Sequence, residues 1–191
     1  MIIESIITTL APDKRPHVAP MGVIWREGHP VLAPFRPSVT LDNVAATGTA
    51  VINHTDDVRV FAGCLTGRRD WPVRPAERVA GCVLVGALAH QELAIDRVEE
   101  DATRPRFHCR VVHEAAHGTF RGFNRAQAAV IEGAILVSRL HLLPRDKIER
   151  EIAYLEIAVS KTAGEREREA WAWLMAAVQN FYDAAAAGVR T

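Results

Sequence analysis

Apolar and β-branched positions dominate the first half of the chain, in short runs separated by turn residues. Segments 2–10 and 17–26 are rich in such positions, and the stretch from Asp13 to Pro16 between them is typical of a turn. The two segments therefore predict a β-hairpin. A further short strand is predicted over 31–35.

The same strand-and-turn texture continues to about residue 117, with one short helical interruption. A helix is expected after Thr40, which can cap it, and Gly48 would end it. Strands are predicted over 49–53, 58–65, 79–98 and 105–117, with a polar loop over 66–78. This part of the chain is expected to close into an antiparallel β-barrel.

From Asn124 onwards the spacing of apolar residues becomes helical. Asn124 is expected to cap the first of three helices, Pro144 to begin the second, and Gly164 to precede the third. The fold class is therefore α+β, with a barrel domain over 1–120 and a helical C-terminal subdomain over 121–191. Four aromatic residues on the last helix are interpreted as core: Trp171, Trp173, Phe181 and Tyr182.

The composition of the chain argues against nucleic-acid binding and against membrane association. Twenty-three basic and 23 acidic residues give zero net charge, which argues against nucleic acid as a partner. The apolar windows are too short to span a bilayer, the first residues do not resemble a signal peptide, and no membrane association is expected. Three cysteines without a C-x-x-C spacing suit reduced thiols in a cytoplasm.

One motif points to zinc chemistry. His113-Glu114-Ala115-Ala116-His117 matches H-E-x-x-H, which binds zinc when helical spacing brings both imidazoles to one face. The preceding residues favour a strand, in which the two histidines would lie about 13 Å apart. No metal site is therefore expected, and a zinc hydrolase is retained only as an alternative.

A second group of polar residues suits a phosphate. Arg36, Ser38, Thr40 and Asn43 offer a cation, two hydroxyls and an amide beside the start of the short predicted helix, where backbone N–H groups are free. The same residues have a purely structural interpretation, in which Ser38 and Thr40 cap the helix and Arg36 lies on the surface. From the residues alone both interpretations remain open.

Several motifs, in their order along the chain, resemble a known family. They are A-P-M-G-V at 19–23, S-x-T-x-x-N at 38–43, V-I-N-H-T-D-D at 51–57 and G-F-N-R-A at 122–126. They resemble the FMN-binding split barrels, specifically the group catalogued as DUF447, and are similar to flavin reductase-like proteins. The resemblance spans both the barrel and the helical part.

The resemblance implies a homodimer of six-stranded antiparallel split β-barrels with FMN near the dimer interface. Phosphate contacts would come from Arg36, Ser38, Thr40 and Asn43. The backbone of Met21, Gly22 and Val23 would face the isoalloxazine ring. Asn53 would lie near the flavin or support its pocket.

The function implied is that of an FMN-dependent oxidoreductase, which transfers electrons between a reduced carrier such as NAD(P)H and a small molecule. A pterin is one candidate substrate. The alternative from another class is a flavin-binding protein without catalysis. No catalytic residue is assigned, although His17 or His54 could supply a proton near the flavin.

Overall fold

A computed structural model of the chain describes residues 1–188. In chain order its elements are β1 (Ile2–Leu10), β2 (Pro16–Arg26), β3 (His29–Leu32), α1 (Val39–Thr47), β4 (Thr49–His54), α2 (Arg59–Leu65), β5 (Val73–Pro75), β6 (Cys82–Leu84), β7 (Ala89–Glu99), β8 (Arg106–Ala116), α3 (Arg125–Val137), α4 (Arg145–Thr162) and α5 (Glu165–Ala186). They divide into a barrel unit, Met1–Asp56 with Arg69–Phe120, and a helical unit, Asp57–Arg68 with the chain from Arg121. Residues 189–191 of the expected C-terminal subdomain lie outside the described residues.

The barrel unit contains a closed antiparallel barrel in the strand order β1-β2-β3-β8-β7-β4. The predicted six-stranded antiparallel barrel is confirmed. Side chains alternate between the two faces of each strand, so every second residue points into the barrel. Its interior is filled by buried apolar side chains, among them Ile7, Val23, Leu32, Leu93 and Phe107.

A two-stranded hairpin, formed by β5 and β6, covers part of the barrel's outer face; we call residues 73–84 the covering hairpin. On β4, Ala50 and Ile52 point into the barrel core, so Val51 and Asn53 point outward. Both outward residues are nevertheless completely buried. The loop predicted over 66–78 includes β5, which is only three residues long and too short to give a strand pattern in the sequence.

Buried polar side chains of the barrel strands hold the covering hairpin. The Asn53 Oδ1 accepts the Leu84 backbone N–H at 2.8 Å, and the Thr8 hydroxyl donates to the Cys82 carbonyl. These bonds satisfy hairpin backbone groups that the short β5–β6 ladder leaves unpaired.

The strand β7 pairs with β8 through an irregular register. Glu92 lies opposite His113, whereas the next residue, Leu93, lies opposite Val111, so Val112 is an extra residue that forms a β-bulge. Glu92 and Leu93 are both fully buried because they point to opposite faces of β7: Leu93 enters the barrel core, and Glu92 lies beneath the covering hairpin.

The strand predicted over 58–65 is wrong, because the chain forms α2 there. The run is apolar and short, and such a run does not distinguish a strand from a buried helix by period. Val58 and Ala62, four positions apart, both enter the core of the helical unit. Segment 57–68 therefore belongs to the helical unit, whereas the expected domain division placed it with the barrel.

The helical unit otherwise contains the three predicted C-terminal helices. The Asn124 side chain caps α3 by accepting the Ala126 N–H at 2.7 Å, as predicted. Trp171 of α5 is buried and approaches α3 at Gly133, where a Cβ atom would lie only 2.8 Å from the indole ring. Of the four aromatic residues of α5, Trp171 is core, and the other three are partly buried and pack against the apolar clusters of this unit. Of the helices within residues 1–188, none is long and apolar enough to cross a membrane.

Candidate functional site

The N-terminus of α1 is one of the two places to which the sequence assigned cofactor contacts. Ser38, not Thr40, caps the helix: its hydroxyl oxygen accepts the Leu41 N–H at 3.2 Å. The expectation that Thr40 is the cap is thus wrong, and Thr40 lies inside the helix as its second residue. The Ser38 hydroxyl proton is not used by this bond and remains available to donate.

Arg36 lies two residues before this cap and is exposed. Its guanidinium forms an ion pair with Glu100 at 2.8 Å and donates to the Asp101 carbonyl at 3.3 Å. Together with Ala102 these residues line an open depression on the barrel unit. The only basic group that the sequence placed at the phosphate site is therefore at the surface and partnered by an acidic side chain.

Asn43 is nearly completely buried on the inner side of α1. Its amide donates to the Thr9 hydroxyl of β1 at 3.0 Å. This bond ties the helix to the barrel wall, and it fixes the direction in which the helix N-terminus points.

The strand β2 provides the second predicted set, Met21, Gly22 and Val23. Val23 is buried in the barrel core and Met21 packs against the same cluster. Of the residues of β2, only Ile24–Arg26 pair with β3. The backbone of residues 20–23 consequently pairs with β1 on one side, and on its other side no described strand pairs with it.

The structure brings these two sets together. Leu41 and Val44 of α1 lie in the same apolar cluster as Val23, with Met21 packed against it. The helix N-terminus and the open edge of β2 therefore belong to two elements that contact one another, which we call the α1–β2 wall.

Asn53 lies apart from that wall, beneath the covering hairpin. Its amide nitrogen donates to the Ile6 carbonyl at 3.1 Å and to the Thr8 hydroxyl at 3.0 Å, and its oxygen accepts from Leu84. Both ends of the Asn53 side chain are thus bound to protein groups, and the residue links β1 to the covering hairpin.

The two histidines considered as proton donors differ in their surroundings. Burial and the nearby Arg69 lower the pKa of His17, so its neutral form predominates at pH 7. The His54 Nε2 lies 3.5 Å from the Gln91 side-chain oxygen.

The H-E-x-x-H motif lies in β8 and the residue after it, as the strand prediction required. Glu114 accepts a hydrogen bond from the Gln91 amide at 3.1 Å. The helical geometry of zinc hydrolases is therefore absent from this segment. What the sequence missed is that His113 meets two residues of β7, His90 and Glu92; an H-x-E spacing on a strand, which puts both side chains on one face, was the available signal.

Comparison with protein families decides the classification. DUF447 is a family of proteins of unknown function. The family model of its N-terminal domain matches residues 3–118, and the family model of its C-terminal part matches residues 124–176. The chain belongs to the DUF447 family. A search of curated proteins returned no match.

Solved structures of low sequence identity share the fold of this DUF447 protein. The FMN-bound DUF447 protein MM1853 from Methanosarcina mazei is similar over 92% of this chain and 94% of its own, with a TM-score of 0.79 and 20% identity. The NADH:FAD oxidoreductase SgcE6 of Streptomyces globisporus C-1027 covers 63% of this chain and 79% of its own, with a TM-score of 0.51 and 15% identity.

A flavoredoxin from Methanosarcina acetivorans shows the same likeness, with a TM-score of 0.53 and 12% identity over 61% of this chain and 69% of its own. The split-barrel fold implied by the motifs is therefore confirmed, and the helical part is shared with MM1853.

Proposed function

We propose that this DUF447 protein binds FMN and acts as an oxidoreductase, transferring electrons between a reduced carrier such as NAD(P)H and a small molecule, for which a pterin is one candidate. The observation that carries the proposal is the wall formed by the N-terminus of α1 and the unpaired edge of β2. The FMN bound by the similar DUF447 protein MM1853 supports it.

The residues present suit the two ends of FMN. At the phosphate end, the α1 N-terminus offers N–H groups, the Ser38 and Thr40 hydroxyls offer further donors, and Arg36 offers a positive charge. At the ring end, the open backbone edge of Met21–Val23 offers amide and carbonyl groups to the polar rim of an isoalloxazine. When bound, FMN supplies the redox chemistry, and the protein positions it.

Arg36 can exchange its present partner for a phosphate at low cost. Its ion pair with Glu100 is exposed, and such pairs contribute about 0–1 kcal/mol. A phosphate can accept two parallel hydrogen bonds from a guanidinium, whereas Glu100 accepts one from Arg36. The phosphate is therefore the stronger partner.

The direct test is FMN binding by purified protein, followed by absorbance and flavin fluorescence. We expect one FMN per chain, and Arg36→Ala should raise the dissociation constant roughly 10- to 100-fold, as the loss of about 1.5–3 kcal/mol requires. Thr40→Val should raise it less. The matched control is Arg15→Ala, which removes another exposed arginine paired with a neighbouring carboxylate. No binding at micromolar FMN, or an equal effect of the control, would contradict the proposal.

Electron transfer requires a separate measurement. Anaerobic addition of NADH or NADPH to the FMN-loaded protein should bleach the flavin absorbance. Flavin that stays oxidised with both carriers would instead favour flavin binding without this catalysis. We propose that His17, neutral at pH 7, accepts a proton during this step, so His17→Gln should alter the pH profile of the reductive step only.

We also propose that the protein is a homodimer in the cytoplasm. Phe35 and Val39, on either side of Arg36–Ser38, are 57% and 48% exposed, and apolar exposure on both sides of a polar site is typical of an interface. All three cysteines are buried as thiols, which suits a reducing compartment. Light scattering coupled to gel filtration should give the dimer mass, and Val39→Asp should lower it.

A further inference from the structure

A cluster of histidine and carboxylate groups lies on the outer face of the barrel, away from the α1 and β2 wall. His90 and Glu92 are two residues apart on β7 and both are completely buried. His113 lies directly opposite Glu92 on β8. One ligand atom from each of the three residues can be chosen so that all lie within 4.8 Å of one another.

Glu92 is an anion in this cluster. Three backbone N–H groups of the covering hairpin point at its carboxylate, and hydrogen bonds of this kind favour the charged form. Glu77 donates to Oε1 at 2.7 Å, and Arg78 and Val79 donate to Oε2 at 2.7 and 3.0 Å. Because Oε1 accepts only one of the three, it retains the capacity for another partner.

The neighbouring residues orient the His90 ring. The His117 Nε2 lies 2.9 Å from the Arg74 guanidinium and 2.8 Å from the His90 Nδ1. Because an arginine guanidinium only donates hydrogen bonds, the His117 Nε2 is the acceptor in its contact with Arg74. The His90 Nδ1 must then carry a proton and donate. The His90 Nε2 is left to face the Glu92 Oε1, 3.3 Å away.

The third member has an unsatisfied atom. The His113 Nε2 is buried without a hydrogen-bond partner, although the Glu77 carboxylate lies 3.5 Å away. Buried polar atoms without partners are rare in proteins, and each one calls for a ligand or another explanation.

We propose that His90, Glu92 and His113 bind a divalent transition-metal ion of the zinc type. Two imidazoles and one carboxylate are a ligand set that zinc accepts, whereas magnesium and calcium prefer oxygen ligands alone. Ligands about 2.1 Å from a tetrahedral ion lie about 3.4 Å from one another. The His90–Glu92 separation of 3.3 Å already meets this requirement, and only the His113 ring has to approach.

The surroundings complete the site. His117 accepts the Nδ1–H of His90. A hydrogen bond from the ring nitrogen that does not bind the metal is usual for a metal-bound histidine, and it fixes the tautomer of the ring. Glu77, 55% exposed, is the nearest candidate for a fourth ligand. Such an ion would join β7, β8 and the covering hairpin, a structural role that does not depend on FMN.

The test uses untagged protein, stripped with a chelator and titrated with Zn²⁺ against a competing colorimetric indicator. We expect one Zn²⁺ per chain and a submicromolar dissociation constant. His113→Gln should weaken binding at least 100-fold, and His117→Gln roughly 10- to 100-fold. The matched control is His108→Gln, which alters another β8 histidine 3.2 Å from a glutamate and should change binding less than twofold.

Two further measurements keep the outcome decisive. Co²⁺ in place of Zn²⁺ should give the visible absorption of a tetrahedral site in the wild type and not in His113→Gln. Circular dichroism and FMN binding of each variant report whether it folds. Absence of stoichiometric Zn²⁺, or equal Zn²⁺ affinity of folded His113→Gln and wild type, would overturn the proposal; the explanation left is then a proton shared by His90 and Glu92.

Discussion

The barrel unit and the helical unit bury different kinds of side chain. Nearly all the fully or almost fully buried polar residues of the described chain belong to the barrel unit: Ser5, Thr8, Thr9, Thr40, Asn43, Asn53, His90 and Glu92. The helical unit contributes Glu167 alone to this set. Its interior is instead a seam of alanine, valine, leucine and tryptophan side chains.

The two units differ in their buried polar side chains because they attach different kinds of element. Helices satisfy their own backbone groups, so α3, α4 and α5 need only apolar contacts between them. The barrel unit also has to attach α1 and the covering hairpin, whose backbone groups lack ladder partners. Buried polar side chains satisfy those groups, and the candidate metal site arises in the same layer. Both candidate sites of the protein therefore lie in the barrel unit.

The largest expected effect comes from removing the anionic acceptor of the covering hairpin. Glu92→Gln in metal-free buffer should lower the free energy of unfolding by about 3 kcal/mol, since three backbone N–H groups lose a buried carboxylate. Urea unfolding measures the loss, and hydrogen exchange should become faster at residues 77–79.

The comparison variant for this change is Glu167→Gln in the helical unit. Glu167 accepts the Gly164 N–H at the start of α5, and an amide oxygen can replace that acceptor. The expected loss is about 1 kcal/mol or less. Equal losses at Glu92 and Glu167 would mean that the two interiors do not differ as described.

An intermediate effect is expected from overpacking the apolar seam. Gly133→Ala would place a methyl group 2.8 Å from the buried Trp171 ring, and the expected destabilisation is about 1–2 kcal/mol. Gly22→Ala in β2 meets the Ile2 side chain at the same distance, but Ile2 is exposed and can move. Its cost should be about 0.5 kcal/mol or less. A larger loss at Gly22 than at Gly133, in urea unfolding, would contradict this reasoning.

The smallest effect concerns pH. The pKa of His17 is below its usual 6.5, so the unfolded chain takes up a proton first as the pH falls, and the stability of the folded protein decreases below about pH 6.5. The pKa of Glu92 is below 4.5, so its contribution is complete above that pH and is lost further down. Thermal melts between pH 2 and 8 should show both stages. His17→Gln should make the upper stage shallower and Glu92→Gln the lower one, without abolishing either, since the pKa values of His117 and of Asp57 are also lowered.

Local sequence predicted the elements whose signals are local. The β1–β2 hairpin follows from its turn residues, and α3 follows from the Asn124 cap. The strand prediction over 58–65 is wrong because a short apolar run is compatible with both structures, and only contacts of Val58 and Ala62 with distant helices favour the helix.

The candidate sites divide in the same way. Arg36, Ser38 and Thr40 lie within five positions, so the sequence could place them at one helix start, although only the structure shows which residue caps it. His90, Glu92 and His113 meet through strand pairing across a β-bulge. No local sequence pattern predicts that register. The H-E-x-x-H motif suggests His117 as the partner of His113, whereas the structure groups His113 with His90 and Glu92.

The loop of the covering hairpin is held through its main chain, and this bears on how freely its sequence can change. Glu77, Arg78 and Val79 contribute N–H groups to Glu92. Proline at any of these positions would abolish a donor, but most other residues keep it. The barrel strand beneath therefore determines the conformation of this loop, whereas the side chains of residues 82–84 are buried and have to stay apolar. A library randomised at residues 77–79 should retain many folded members, and one randomised at residues 82–84 should retain few.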